Sequence, residues 1–140
     1  QRAAALIPKD SEYAAVLAYA LKACADAETW EPAWRLCEKR LERYNWIHAY
    51  PNAAAEVVAL WFGEGDFDRT AHIIAMAGQD VDCNAAQILT VIGVLRSIKG
   101  IDSRWRDPIG DTLQTYMRRE RKLSIRRLAA RTAAAAKKSQ

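Results

Sequence analysis

Apolar residues recur at helical spacing along most of the chain. Tyr13, Leu17, Ala20, Leu21 and Cys24 fall on one face of a helix, and Ser11 stands before it as an N-cap. Thr29 opens a second helix, with Pro32 in a first turn that has no use for its missing amide. Trp30, Ala33, Trp34, Cys37, Leu41 and Tyr44 make its apolar stripe, and charged residues fill the other side. An aromatic connector follows through Trp46, His48 and Tyr50. Tyr50 precedes Pro51 and is expected to be extended, which makes Asn52 the N-cap of the next helix.

Residues 53–62 are apolar on nearly every side, with Glu56 the exception, so this helix is expected to be buried. Gly63-Glu64-Gly65-Asp66 reads as a turn, with Asp66 placed to cap a helix over 67–77 that Gly78 ends. Residues 84–99 carry Ala85, Ala86, Ile88, Leu89, Val91, Ile92, Val94, Leu95 and Ile98, again apolar all round. A connector over 101–108 leads to a short helix over 108–117, and Ser124 caps a last one. No strand pattern and no internal repeat is apparent. The expected fold is all-α: one compact orthogonal helical domain over 1–140, of about six to seven helices. Two buried central helices flank the loop holding Asp80 and Asp82.

That loop concentrates the candidate chemistry. Two carboxylates stand two residues apart between apolar helices, and the nearest basic residues in sequence, Arg69 and Arg96, are not adjacent. An ionised carboxylate near a core needs a cation, hydrogen bonds or a proton. The residues leave two readings open. One is a helix-capping aspartate beside a solvated one, and the other a pair of oxygen ligands for a divalent metal.

Composition narrows the setting. A chain of 140 residues can bury a core, and 51% of it is apolar. No apolar run is long enough to span a membrane, and no secretory signal opens the chain. The three cysteines, Cys24, Cys37 and Cys83, are odd in number and widely spaced, which fits reduced thiols in a cytoplasmic protein. With His48 and His72 the only histidines, no zinc-finger spacing exists. The net charge of +4 is uneven: residues 118–140 hold nine basic residues and one acid, on a mildly acidic body. That basic helical tail is a candidate surface for nucleic acid or another acidic partner.

The run Gly78-Gln79-Asp80-Val81-Asp82-Cys83-Asn84-Ala85-Ala86, followed by Gly93 and Gly100, resembles the ADP-ribosylglycohydrolase family. That family shows Gly-x-Asp-x-Asp, a Thr, Ser or Cys, and then a small-residue helix. Three further segments are similar in matching order across residues 45–117. They are Trp46-Ile47-His48-Ala49-Tyr50-Pro51-Asn52-Ala53-Ala54, Leu60-Trp61-Phe62-Gly63-Glu64-Gly65-Asp66-Phe67 and Arg104-Trp105-Arg106-Asp107-Pro108. The family's Thr/Ser-Asp-Asp motif does not occur here, so the chain looks like the C-terminal part of a larger enzyme, incomplete and inactive when isolated.

The resemblance implies hydrolysis of the glycosidic bond at the ribose of an ADP-ribosyl group. It implies a two-metal centre of Mg2+ or Mn2+ in the intact parent, with Asp80, Asp82 and Cys83 at the metal and His48, Asn52 and Asn84 toward substrate. A thiol is a poor partner for magnesium, so Cys83 departs from the donor set that ion prefers. No residue is assigned as catalytic acid or base. The implied partners are an ADP-ribosylated protein or a small ADP-ribose conjugate, together with the missing N-terminal half. The rival reading is a non-catalytic helical module that contacts nucleic acid or an acidic partner through residues 118–140.

Overall fold

A computed structural model describes residues 6–138 of the chain. Its contacts divide into two compact units, Gln1–Gly100 and Ile101–Gln140. Among the described residues the first holds five α-helices: α1 (Glu12–Asp26), α2 (Trp30–Leu41), α3 (Ala49–Gly63), α4 (Phe67–Ala77) and α5 (Val81–Arg96), closed by a 3-10 turn at Ile98–Gly100. The all-α architecture is as the periodicity predicts. Ser11 caps α1 by accepting from the Ala14 amide at 3.1 Å, and Asp66 caps α4 by accepting from the Arg69 amide at 2.7 Å.

The axis of this unit is α3. It packs against α1, α2 and α4 and touches α5. Ala53, Ala54, Ala55, Val58 and Ala59 are all buried along it, and such small side chains let the neighbouring backbones come close. The approach is tightest at the end of α3. A β-carbon on Gly63 would collide with the Thr70 hydroxyl of α4, and the buried Thr70 donates to the Asp66 carbonyl at 2.6 Å. Val16, Ala20, Cys24, Trp34, Cys37, Leu41, Ile73, Ile74 and Ile88 complete the core from the surrounding helices.

Three expectations are corrected. First, α3 begins at Ala49 with His48 as its N-cap, so Tyr50 and Pro51 are helical rather than extended and Asn52 is not the cap. Pro51 sits in the first turn, where no intrahelical partner waits for an amide. Second, α5 does not bury all its sides. It buries the stripe Asn84, Ile88 and Ile92, while Val91, Val94 and Leu95 are 56%, 83% and 66% exposed. The helices on either side of the Asp80 loop therefore each bury one face, and the helix enclosed by neighbours is α3.

The third correction lies in the second unit. The expected helix over 108–117 is replaced by a turn and a strand. Here α6 (Ser103–Arg106) is followed by β1 (Thr112–Gln114), β2 (Lys122–Ser124) and α7 (Ile125–Lys138). The strands pair antiparallel, with Leu113 opposite Leu123. Gly110, at φ +63°, turns the chain out of helix before β1. The loop is closed by the Thr115 amide on the Arg121 carbonyl and by the Thr115 hydroxyl on the Glu120 carbonyl. The basic tail is therefore part hairpin, with helix from Ile125 onward, and residues 139 and 140 lie outside the described residues. Asp111 anchors the start of α7, accepting from the Ser124 hydroxyl at 2.7 Å and from the Arg126 amide at 2.9 Å.

Candidate metal centre

The site is built on the joint between α4 and α5. Gly78 ends α4 at φ +76°, and Gln79 follows at φ +67°, a left-handed conformation unusual for a residue with a β-carbon. Asp80 then sits at φ −82° and ψ 71°, and the Val81 amide donates to the Gln79 carbonyl at 3.0 Å. Those angles and that bond define an inverse γ-turn centred on Asp80. The Asp80 carbonyl accepts from the Asn84 amide at 2.9 Å, which starts α5.

Asp80 thus occupies the N-cap position of α5 without using its side chain there. Its carboxylate makes no capping hydrogen bond. It is partly exposed instead, and its oxygen lies within 4.8 Å of a carboxylate oxygen of Asp82 and of the Cys83 sulfur. Asp82 and Cys83 are exposed in the first turn of α5. The Cys83 thiol is pushed up from its ordinary pKa, first by its hydrogen bond to Asp80, then by the charge of Asp80, with burial and Asp82 adding to it. It therefore stands as a protonated donor to the Asp80 carboxylate near neutral pH. Among the described residues this is the one group of three acidic or sulfur ligands drawn so closely together. Its two carboxylates suit a hard divalent cation, and its thiol does not.

The three residues expected toward substrate are placed beneath the loop or beside its support. Asn52, one turn into α3, is buried. Its Oδ1 accepts from the Asp80 amide at 3.0 Å and from Asn84 Nδ2 at 2.6 Å. Its Nδ2 donates to the carbonyls of Trp46 and His48 at 2.8 and 2.9 Å. Asn84 is buried as well, so these two amides face each other. His48 is half-buried, its ring 4.3 Å from that of Tyr44 and 4.6 Å from that of Tyr50. Its Nδ1 accepts from the Tyr50 amide at 3.2 Å, so the neutral ring carries its proton on Nε2.

One carboxyl on α3 stands out in the sequence only as an exception to the apolar run and is given no role there. Glu56, one turn beyond Asn52 on α3, is half-buried, and burial pushes its pKa up. Its place as the single acid in an apolar helix was the available signal.

Helices gathered on an alanine-lined axis, with a paired-carboxylate turn at the mouth of one of them, define a helical domain carrying a candidate divalent-cation site. The family model described as ADP-ribosylglycohydrolase matches residues 1–140, and the chain belongs to that family. The match extends over the whole chain, beyond the segments that carry the resemblance in sequence. It makes the protein a hydrolase of glycosyl-hydrolase type, from a family that is generally metal-dependent. Comparisons with curated proteins and with solved structures found no match. No described helix is long and apolar enough to cross a membrane.

Proposed function

We propose that the chain supplies part of the metal site of an ADP-ribosylglycohydrolase, which cleaves the glycosidic bond at the ribose of an ADP-ribosyl group. The observation that carries this reading is the Asp80 carboxylate, which stands at a helix start and is not spent on capping it. Asp80 and Asp82 would hold a magnesium or manganese ion. When bound, the ion supplies Lewis acidity and orients ribose hydroxyls and the attacking water.

The rest of the chemistry belongs to the chain. Bond cleavage places positive charge on the anomeric carbon. His48 offers an Nε2–H donor from an aromatic wall with Tyr44 and Tyr50, suited to a substrate hydroxyl or ring. A second metal would need ligands beyond this acidic group, supplied by another half of the protein. The substrate is an ADP-ribosylated protein or a small ADP-ribose conjugate, and three free thiols fit a reducing, cytoplasmic setting.

In its intact parent polypeptide, the protein is expected to release free ADP-ribose from ADP-ribosylated protein in the presence of Mg2+. Chelation stops the release, and Asp82→Ala abolishes it while the circular dichroism spectrum is kept. Release that survives both the chelator and the substitution would overturn the reading.

One observation favours a second reading, in which the basic segment contacts nucleic acid. A cavity of about 240 Å³ is lined by Arg119, Lys122, Arg127 and Arg131. Arg131 is paired with Glu120, whereas the side chains of Arg119, Lys122 and Arg127 have no partner among the described residues. This reading requires duplex binding that weakens steeply with added salt and disappears on removal of residues 118–140.

A further inference from the structure

We infer that Asn52 and Asn84 are positioning residues, a buried amide pair that fixes the Asp80 turn and thereby sets where the Asp80 and Asp82 carboxylates stand. The purpose of that placement rests on the metal-site reading above. The placement itself rests on hydrogen bonds alone.

The side chain of Asn52 has two donors and two acceptor positions, and all four are used. Its donors hold the carbonyls of Trp46 and His48, which fixes the amide at the start of α3. Its oxygen takes the Asp80 amide and Asn84 Nδ2. One planar group therefore joins the connector before α3, the turn before α5 and the first turns of α5 itself. Aspartate in its place would lose both donors, and serine, leucine and alanine could not span the four partners.

The turn needs such a hold. Gln79 lies at φ +67°, a left-handed conformation that a residue with a β-carbon keeps only where surrounding contacts over-determine it. The Asp80 carboxylate makes no capping bond, and its hydrogen bond is to the Cys83 thiol of the same helix start, so it does not tie the turn to α3. The Asp80 backbone amide does, and its acceptor lies 28 residues upstream. The aim of the acidic pair is thus set from α3, in the way that groups behind a metal's own ligands orient those ligands.

The test compares the full chain with Asn52→Ala, Asn84→Ala and the control Thr70→Val. The control also removes a buried hydrogen bond, the one from Thr70 to the Asp66 carbonyl. Two quantities are measured: amide exchange at Asp80 by NMR without metal, and Mn2+ affinity by electron paramagnetic resonance. In Asn52→Ala the Asp80 amide exchanges at least tenfold faster than in the wild type. Mn2+ affinity falls about 10- to 100-fold in both asparagine variants. Thr70→Val lowers the melting temperature and changes neither quantity.

Should Asn52→Ala fail to fold, Asn84→Ala carries the test, because it leaves the Asn52 amide tethered and removes a single donor. Unchanged Asp80 exchange in folded Asn52→Ala, or wild-type Mn2+ affinity in Asn84→Ala, overturns the positioning role. So does accelerated exchange with wild-type Mn2+ affinity, since the pair would then not govern the carboxylates. A wild-type chain that binds no Mn2+, while the variants still free the Asp80 amide, upholds the positioning role and sinks the metal-site reading instead.

Discussion

Asp66 and Asp80 hold the same position, one residue before a helix, and do different things there. Asp66 accepts from the third amide of α4, whereas Asp80 leaves its helix uncapped by side chain. Asp66→Ala should therefore cost about 1 kcal/mol in chemical denaturation, and Asp80→Ala measured in EDTA clearly less. Under the proposed function, divalent-dependent turnover should show the reverse ranking. In sequence the two aspartates look alike, because the difference lies in a γ-turn set by a distant amide. The roles of Asn52 and Asn84 were hidden for the same reason. An asparagine before an apolar run suggests a cap, and nothing local reveals that His48 has taken the post. Glu56 gives a pH-dependent expectation. Burial raises its folded pKa above its unfolded value, so the folded state holds the proton longer. Stability from this group is full at acid pH and falls as pH rises through the raised value. Glu56→Gln should accordingly melt higher than wild type at pH 7 and match it near pH 4. The thiols divide as well. Burial pushes Cys24 up to about 12 and Cys37 to about 11, whereas Cys83 is exposed. A disulfide reagent at pH 8 should modify one thiol of the native chain and three of the unfolded chain.

Among the elements, those with a strong period were legible and those held by long-range partners were not. The stripes of α1 and α2 and the closed-in character of α3 could be read from spacing alone. The hairpin could not. Leu113 and Met117 stand at helical spacing, but the pairing of Leu113 with Leu123 across the loop outweighs it. The apolar run of α5 pointed to burial on all sides, yet hydrophobicity without periodicity does not say how many neighbours will arrive. Gly63 marks where α3 and α4 meet most closely. Gly63→Ala should destabilise by about 1–3 kcal/mol through overpacking against Thr70, measured by urea denaturation. Asp111 governs the start of α7. Its hydrogen bond from Ser124, then that from the Arg126 amide, hold its pKa below the ordinary carboxylate range. Its contribution is present above the unfolded pKa and is lost as pH falls through the lowered one. The wild-type chain should lose helical ellipticity over that acid range, and Asp111→Asn should show less of the loss because its side chain does not titrate.

For the molecule as a whole, the residues that form the hydrophobic core all belong to the first unit, and no described residue beyond Gly100 is buried. A chain ending at Gly100 should keep a cooperative thermal transition, whereas a peptide of residues 101–140 should show weak helical signal. The family was legible because its marks are local runs in order, and the matched length exceeds those runs. The alanines of α3 have one more implication. A protein can often be toughened by filling slack inside it, but an axis walled by methyl groups has no slack to fill. A larger side chain there would displace the helix that carries Asn52, and the acidic turn would shift with it. Evolution and engineering alike are left with the outer surface as the place to add robustness, while the centre tolerates change only at the expense of the site it supports.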